Sequence, residues 1–296
     1  MRITDINIYP IKSLKGITLE SAMVEARGLQ FDRRWMLTRP DGTFFTQREF
    51  PQMAAIGVAV ESGQLKVESN GQGAMLIPFE PDRGEWQRVT VWQSVCDAVV
   101  YKGAVSEWFS DVIGTKCQLV RMPDGTKRHV NPRFDRGDDI VSFADGYPLM
   151  VIGEASLDDL NERLGNAHAR LREESELPDF EPLPMNRFRP NLVVAGADAF
   201  SEDDWQTIRV GEALFRSTKP CERCVVTTVD QATGEFDGKE PLKTLAAYRM
   251  ARDVMPERID ALGVGATAVL FGQNLIAETP GAVIKVGDRV TVLERF

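Results

Sequence analysis

Histidine and cysteine are scarce in this chain: two histidines, His129 and His168, and four cysteines, Cys96, Cys117, Cys221 and Cys224, are spread over 296 residues. A disulfide-stapled secreted scaffold needs far more cysteine, so reduced thiols are expected. A structural zinc site needs four N or S ligands, and beyond Cys221 and Cys224 only two separated cysteines and two histidines remain, which disfavours one. Positive charge is also short. Lys and Arg number 35 against 44 Asp and Glu, for a formal net charge of −9. That balance argues against a nucleic-acid binder or a polybasic membrane-surface protein, because both need a positive field toward phosphates. Any anionic ligand must therefore be held by locally gathered basic residues. No apolar run reaches the ~18 residues of a membrane-spanning helix, and the opening MRITDINIYPIKS alternates polar and apolar residues without a signal-peptide core. The expectation is a cytoplasmic protein. Internal repeats, coiled-coil heptads and low-complexity tracts are absent.

What is present is ordinary globular material, 43% hydrophobic and 27% charged, enough to bury a core. A chain of this length can form two lobes or one large β-rich body. Turn signals at Asp41-Gly42, around Gly63 and at SNGQG near Gly71 separate alternating or β-branched runs, as in an antiparallel sheet or barrel. A helix is predicted over 104–114, where Val105, Trp108, Phe109 and Val112 share a face ahead of Gly114. A second is predicted from Ser156, with a Ser156/Asp159 capping box and a Leu157, Leu160, Leu164 stripe, to Gly165. Residues 166–184, charged and proline-bearing, read as an exposed loop. Then follow strands at NLVVAG (191–196), IRVGEALFRS and CVVTTV, a helix across PLKTLAAYRM, and terminal hairpins ending VIKVGDRVTVLERF. The fold class is thus mainly β with some helix. Gly263, Gly265 and Ala268 match the letters of a dinucleotide fingerprint but lack the flanking strand and helix.

The sharpest local signal is Lys219-Pro220-Cys221-Glu222-Arg223-Cys224. Besides zinc, a thioredoxin-like dithiol competes for it, but such a pair opens a helix, whereas Cys224 feeds a run of β-branched residues. A thiolate ligand for a soft or cofactor-borne metal is a third reading, with Lys219 and Arg223 at hand to favour the deprotonated sulfur. The fourth is two small buried hydrophobes, the common fate of free cysteine. Four further clusters mix basic residues with turn-formers: Tyr9–Ser13, Asp32–Trp35, Phe188–Asn191 and Phe143–Pro148. Lys12, Arg33 and Arg189 beside strand ends could gather into an anion pocket, since guanidinium forks grip phosphate bidentately. The basic stretch Arg128–Arg133 lines an entrance or is a solvated loop.

The motifs IYPIKSLKG, FDRRWML, FADGYPLMVIGEASLDDLN, FRPNLVVAG, KPCERCVVTTVD, GEFDGKEPLKTLAAYR and FGQNLIAE, in this order over nearly the whole chain, resemble the MOSC proteins, in particular the bacterial YcbX-like and amidoxime-reducing branches. The resemblance implies an N-terminal β-barrel lobe, residues 1–118, and a MOSC β-barrel lobe with a few flanking helices, residues 119–296. It implies a molybdenum cofactor (molybdopterin) with Cys224 as the molybdenum ligand and catalytic centre, Cys221 staying off the metal. Lys12, Ser13, Arg33, Arg189 and Asn191 would hold the pterin and its phosphate. Asp145, Gly146 and Tyr147 fall where relatives contact the cofactor near the metal, Asp145 in a catalytic role, and Glu222 and Arg223 join the cofactor-binding set. The implied activity is reduction of N-hydroxylated compounds such as hydroxylaminopurines, hydroxylamines and amidoximes. The iron–sulfur domain common in YcbX-like proteins needs a C-x4-C-x2-C run that is missing here, so electrons are expected from a separate ferredoxin or flavoprotein. A persulfide carrier and a non-catalytic cofactor-binding protein are the alternatives. The family's association with pyridoxal phosphate finds no compelling Schiff-base lysine in this sequence.

Overall fold

The first strand shows how the pattern in the sequence becomes architecture. Arg2–Ile8 buries Ile3, Ile6 and Ile8, and a register shift between Ile3 and Asp5 moves the buried set off strict alternation. The computed structural model describes residues 1–82, 84–173 and 178–296. Its largest sheet has eight strands in the order Val290–Arg295, Trp205–Val210, Ala213–Glu222, Leu270–Ala277, Leu149–Gly153, Leu192–Ala195, Arg2–Ile8 and Ile17–Leu19. It curls as a half-barrel around a core that includes Ile6, Val151, Leu192, Trp205, Phe215 and Leu275. Neighbours run antiparallel except Leu149–Gly153 beside Leu192–Ala195. A parallel pair needs a long crossover, and the helix Glu154–Arg172 lies within it.

A four-stranded sheet orders Trp35–Thr38, Gln118–Arg121, Ser94–Val100 and Glu85–Val91, and Gly57–Glu61, Gln64–Ser69 and Gly73–Pro78 form a meander. Trp35, Phe45, Leu65, Trp108 and Phe109 pack between them. The helix predicted over 104–114 forms as Ala104–Ile113, closed by Gly114 at φ 78. The mainly β class read from the sequence is the one observed. Among the described residues no helix is long and apolar enough to cross a membrane.

Five local expectations are corrected. The second helix starts at Glu154 and runs through Gly165 to Arg172. Gly165 does not stop it, and Phe180 packs within 3.3 Å of where a Cβ would lie. Residues 166–172 are therefore helical, residues 174–177 of the expected loop lie outside the described residues, and 178–184 carry no helix or strand. Ser156 is not the cap of a capping box, since Glu202 accepts hydrogen bonds from both the Gly153 amide (3.2 Å) and the Ser156 hydroxyl (2.8 Å). The strand at KPCE ends at Glu222, and Val225–Thr228 is a single 3-10 turn despite its β-branched residues, pinned by the Thr227 amide and hydroxyl donating to Cys224 O at 3.1 and 3.0 Å. Finally, Val283–Lys285 pairs with Ser21–Glu25 and Val290–Arg295 with Trp205–Val210, so the terminal segment is no hairpin.

Candidate functional site

Strand ends converge on one cleft. Lys12 and Ser13 lie just beyond Arg2–Ile8, Arg33 ahead of Trp35–Thr38, and Asp145, Gly146 and Tyr147 ahead of Leu149–Gly153. Arg189 and Asn191 precede Leu192–Ala195, and Glu222, Arg223 and Cys224 end or follow Ala213–Glu222. All eleven line the same cavity. Three of them, Ser13 (φ 70), Arg33 (φ 49) and Arg189 (φ 54), are non-glycine residues in the left-handed region. Such residues cost about 1–3 kcal/mol each and cluster where the surroundings over-determine them, commonly at ligand sites. Arg33 is pinned in this way, its amide donating to Tyr9 O and its carbonyl accepting from the Phe143 amide, both at 2.9 Å.

One end of the cleft is built to meet an anion. Arg33 and Arg189 stand 4.3 and 4.2 Å from the ring centre of buried Tyr9. Burial pushes the Tyr9 phenol up to about 12, and its hydroxyl donates to Pro190 O at 3.0 Å. Arg33 is neutralised by fully buried Asp32 at 2.7 Å. Among the described residues the Arg189 guanidinium donates to Leu14 O (2.7 Å) and Gln231 Oε1 (3.1 Å), and burial pulls it down to about 10. Asn191, 1% exposed, spends its amide on Met150 N, Asn7 O and Arg33 Nη1. It therefore orients Arg33. Open space surrounds Gly146, where an added Cβ would meet nothing within 4 Å. Tyr147 packs edge-on to Phe134, and burial raises its phenol.

The other end holds sulfur. Arg48 Nη2 donates to Cys224 Sγ at 3.0 Å. The cations expected beside the thiol are engaged elsewhere: Lys219 pairs with Glu222 at 2.5 Å, and Arg223 donates to Phe271 O (2.7 Å), Phe188 O (3.0 Å) and Met150 Sδ (2.9 Å). Arg48 itself lies 4.5 Å over the Trp92 ring. The Trp92 indole donates to Asp145 at 3.0 Å, and Asp145 also pairs with Lys12, whose Nζ donates to Phe143 O at 2.8 Å. Packed atoms around the Asp145 carboxylate oppose its charge, but Lys12, the Trp92 N–H and Arg48 outweigh them and hold it below the usual range. Burial lowers the Lys12 ammonium, with Asp145 working against that. Cys221 packs partly into the Met150, Phe188 and Phe271 cluster, and burial raises its thiol.

Sequence reasoning missed Arg48 and Trp92. It also misjudged Arg128, which is neither solvated nor an entrance residue. It is 5% exposed and braces the turn before Leu149–Gly153 by donating to Ser142 O, Ala144 O and Asp145 O at 2.6–2.8 Å. Arg48, Arg128, Arg189 and Arg223 have only carbonyls, an amide or sulfur as side-chain hydrogen-bond acceptors, with no carboxylate partner among the described residues. In a chain of net charge −9, Arg48, Arg189 and Arg223 gathered at one cleft without a carboxylate hydrogen-bond partner among the described residues suit an anionic ligand. Among the described residues no three His, Cys, Asp or Glu side chains could hold a metal together. A metal at Cys224 would need most of its ligands from a cofactor.

Residues 1–116 match the family model of the MOSC N-terminal beta barrel domain, and residues 138–291 match that of the MOSC domain. Mitochondrial amidoxime-reducing component 1 of Mus musculus is 30% identical over 303 residues, covering 97% of this chain and 80% of that protein. Its Homo sapiens counterpart is 30% identical over 298 residues, covering 97% and 81%. Molybdenum cofactor sulfurase of Oryza sativa subsp. japonica is 33% identical over 261 residues, covering 84% of this chain but only 31% of that longer protein.

Proposed function

The chain belongs to the MOSC family, and from that membership we propose that it is a molybdenum-cofactor-dependent reductase of N-hydroxylated compounds. The observation that carries the reading is the meeting, in one cleft, of the Cys224 thiol with guanidinium groups that lack carboxylate partners. Its relatives named as amidoxime-reducing components span nearly the whole chain, which favours reduction as the chemistry. The donor set fits the cofactor: Cys224 offers one soft ligand, Arg33, Arg189, Lys12 and Ser13 offer the phosphate and pterin cationic and hydrogen-bonding partners, and Gly146 leaves space. When bound, the cofactor would supply the two-electron redox chemistry.

The protein's own residues bind and orient. Tyr9 fixes both guanidinium planes, Asn191 and Asp32 set the direction of Arg33, and Arg128 braces the Asp145 turn. Arg48 donates a hydrogen bond to the sulfur at 3.0 Å. The overall reaction adds two electrons and two protons to R–NH–OH, breaks the N–O bond and gives R–NH2 and water. The electrons are taken from a separate ferredoxin or flavoprotein.

The test is molybdenum per chain by elemental analysis in wild type and Cys224→Ala, each produced in cells able to make the cofactor. Near-stoichiometric metal that disappears in the variant is expected. Well-folded wild type without molybdenum overturns the reading and favours a persulfide carrier, which the similarity to a molybdenum cofactor sulfurase keeps in view.

A further inference from the structure

Trp92 holds a backbone conformation that its side chain resists. It is the first of two loop residues between Glu85–Val91 and Ser94–Val100, with Ser94 paired to Val91. Its φ of 55 is an outlier for a bulky residue, and a hairpin loop needing positive φ there ordinarily takes glycine or asparagine. The hairpin core gains little from it, since the side chain is 43% exposed. Its contacts run instead to two residues lining the cleft, the N–H to Asp145 and Arg48 stacked 4.5 Å over the ring, and to Phe44, edge-on at 5.1 Å.

This arrangement fixes Arg48. A guanidinium carries five N–H donors in one plane, and stacking on an aromatic face sets that plane. One donor meets Cys224 Sγ, and the guanidinium has no other hydrogen-bond acceptor among the described residues. Arg48 lines the cavity, so its spare donors sit beside the sulfur with no hydrogen-bond partner among the described residues. The chemistry they suit is a compact oxygen acceptor placed next to Cys224. On the reductase reading above, the substrate atom that must come to that point is the oxygen of the N–O group.

We propose that Arg48 donates a hydrogen bond to the N-linked oxygen of an N-hydroxylated substrate beside Cys224, and that Trp92 is the positioning residue holding the guanidinium there. Selection would then fall on the oxygen, with the deoxygenated product losing this contact and leaving.

The experiment compares wild type, Arg48→Ala, Arg48→Lys and Trp92→Phe, using benzamidoxime and its deoxygenated counterpart benzamidine as probes. Metal content, KM and kcat are measured, together with binding by quenching of indole emission. A charge-assisted hydrogen bond of ordinary strength predicts that Arg48→Ala raises KM and Kd for benzamidoxime about tenfold or more. Metal content and benzamidine binding should be unchanged, and Arg48→Lys should recover part of the loss. Trp92→Phe, which keeps a ring but drops the N–H to Asp145, should raise KM in the same direction by a smaller factor. Unchanged KM and Kd in Arg48→Ala overturn the proposal. Loss of molybdenum in that variant also overturns it, by assigning Arg48 to the cofactor. The reductase reading fails separately, through wild type that carries no metal or does not turn benzamidoxime over, while the binding titration still reports on Arg48.

Discussion

Asn191 shows how a residue of the cleft lining can act mainly by orienting its neighbours. Its Oδ1 accepts from Met150 N and Arg33 Nη1, both at 3.2 Å, and its Nδ2 donates to Asn7 O at 3.0 Å. Asn191→Ala leaves a buried amide and a buried carbonyl without those partners, so it should cost about 2–4 kcal/mol, read as a lower midpoint of urea unfolding. With Arg33 less well held, molybdenum content should fall too. An unchanged midpoint would show that these bonds contribute nothing to the folded state. The FRPN, YPIKS and DRRW clusters stood out as basic residues beside turn-formers and through the family motifs they resemble, although singly each reads as an ordinary surface charge. Arg48 and Trp92 were not, because TQRE and VWQS stand in no sequence relation to Cys224. Only tertiary folding brings them to the sulfur. Lys219 and Arg223 drew attention by adjacency, yet the extended backbone leading to Cys224 sends neighbouring side chains in different directions. A signal for Trp92 did exist, an aromatic residue in a two-residue hairpin loop.

Among the elements, the helix Glu154–Arg172 depends on a distant carboxylate. Glu202, fully buried, accepts from the Gly153 amide and the Ser156 hydroxyl at the helix start. Burial first, and repulsion from Asp203 second, raise its carboxyl above the ordinary 4.5. Between 4.5 and that raised value the native state holds a proton that the unfolded chain has released. Stability from this group therefore falls as pH rises through the window and is level above it. Glu202→Gln removes the titration, so the wild-type advantage over the variant should shrink from acid to neutral pH when unfolding midpoints are compared. A difference that stays constant with pH sinks the assignment. The helix Ala104–Ile113 was readable from periodicity because it buries one face, whereas Leu149–Gly153 is buried along its whole length and carries no alternation. VVTT misled because the turn's hydrogen bonds to Cys224 O override β-propensity. The terminal hairpin misled because partner choice is a long-range property: Val283–Lys285 and Val290–Arg295 each meet a strand far away in sequence.

At the scale of the molecule, the cleft exists only because distant parts of the chain share their sheets. Lys12, Ser13, Arg33 and Arg48 come from the first 118 residues, and Asp145, Arg189 and Cys224 from the remainder. Arg2–Ile8 is hydrogen-bonded along Leu192–Ala195, and Ser21–Glu25 along Val283–Lys285. The two segments are therefore predicted not to fold independently. A fragment of residues 119–296 would lose Ile3, Ile6 and Ile8 from the core around Trp205 and Leu192 and expose the edge of Leu192–Ala195. An unpaired apolar edge is a template for association with other chains. The fragment alone should therefore aggregate, and co-expression with residues 1–118 should return soluble protein that also recovers the cofactor. A monomeric 119–296 fragment with a cooperative unfolding transition would show that the six remaining strands of the large sheet suffice, and that the amino-terminal strands serve the cleft alone.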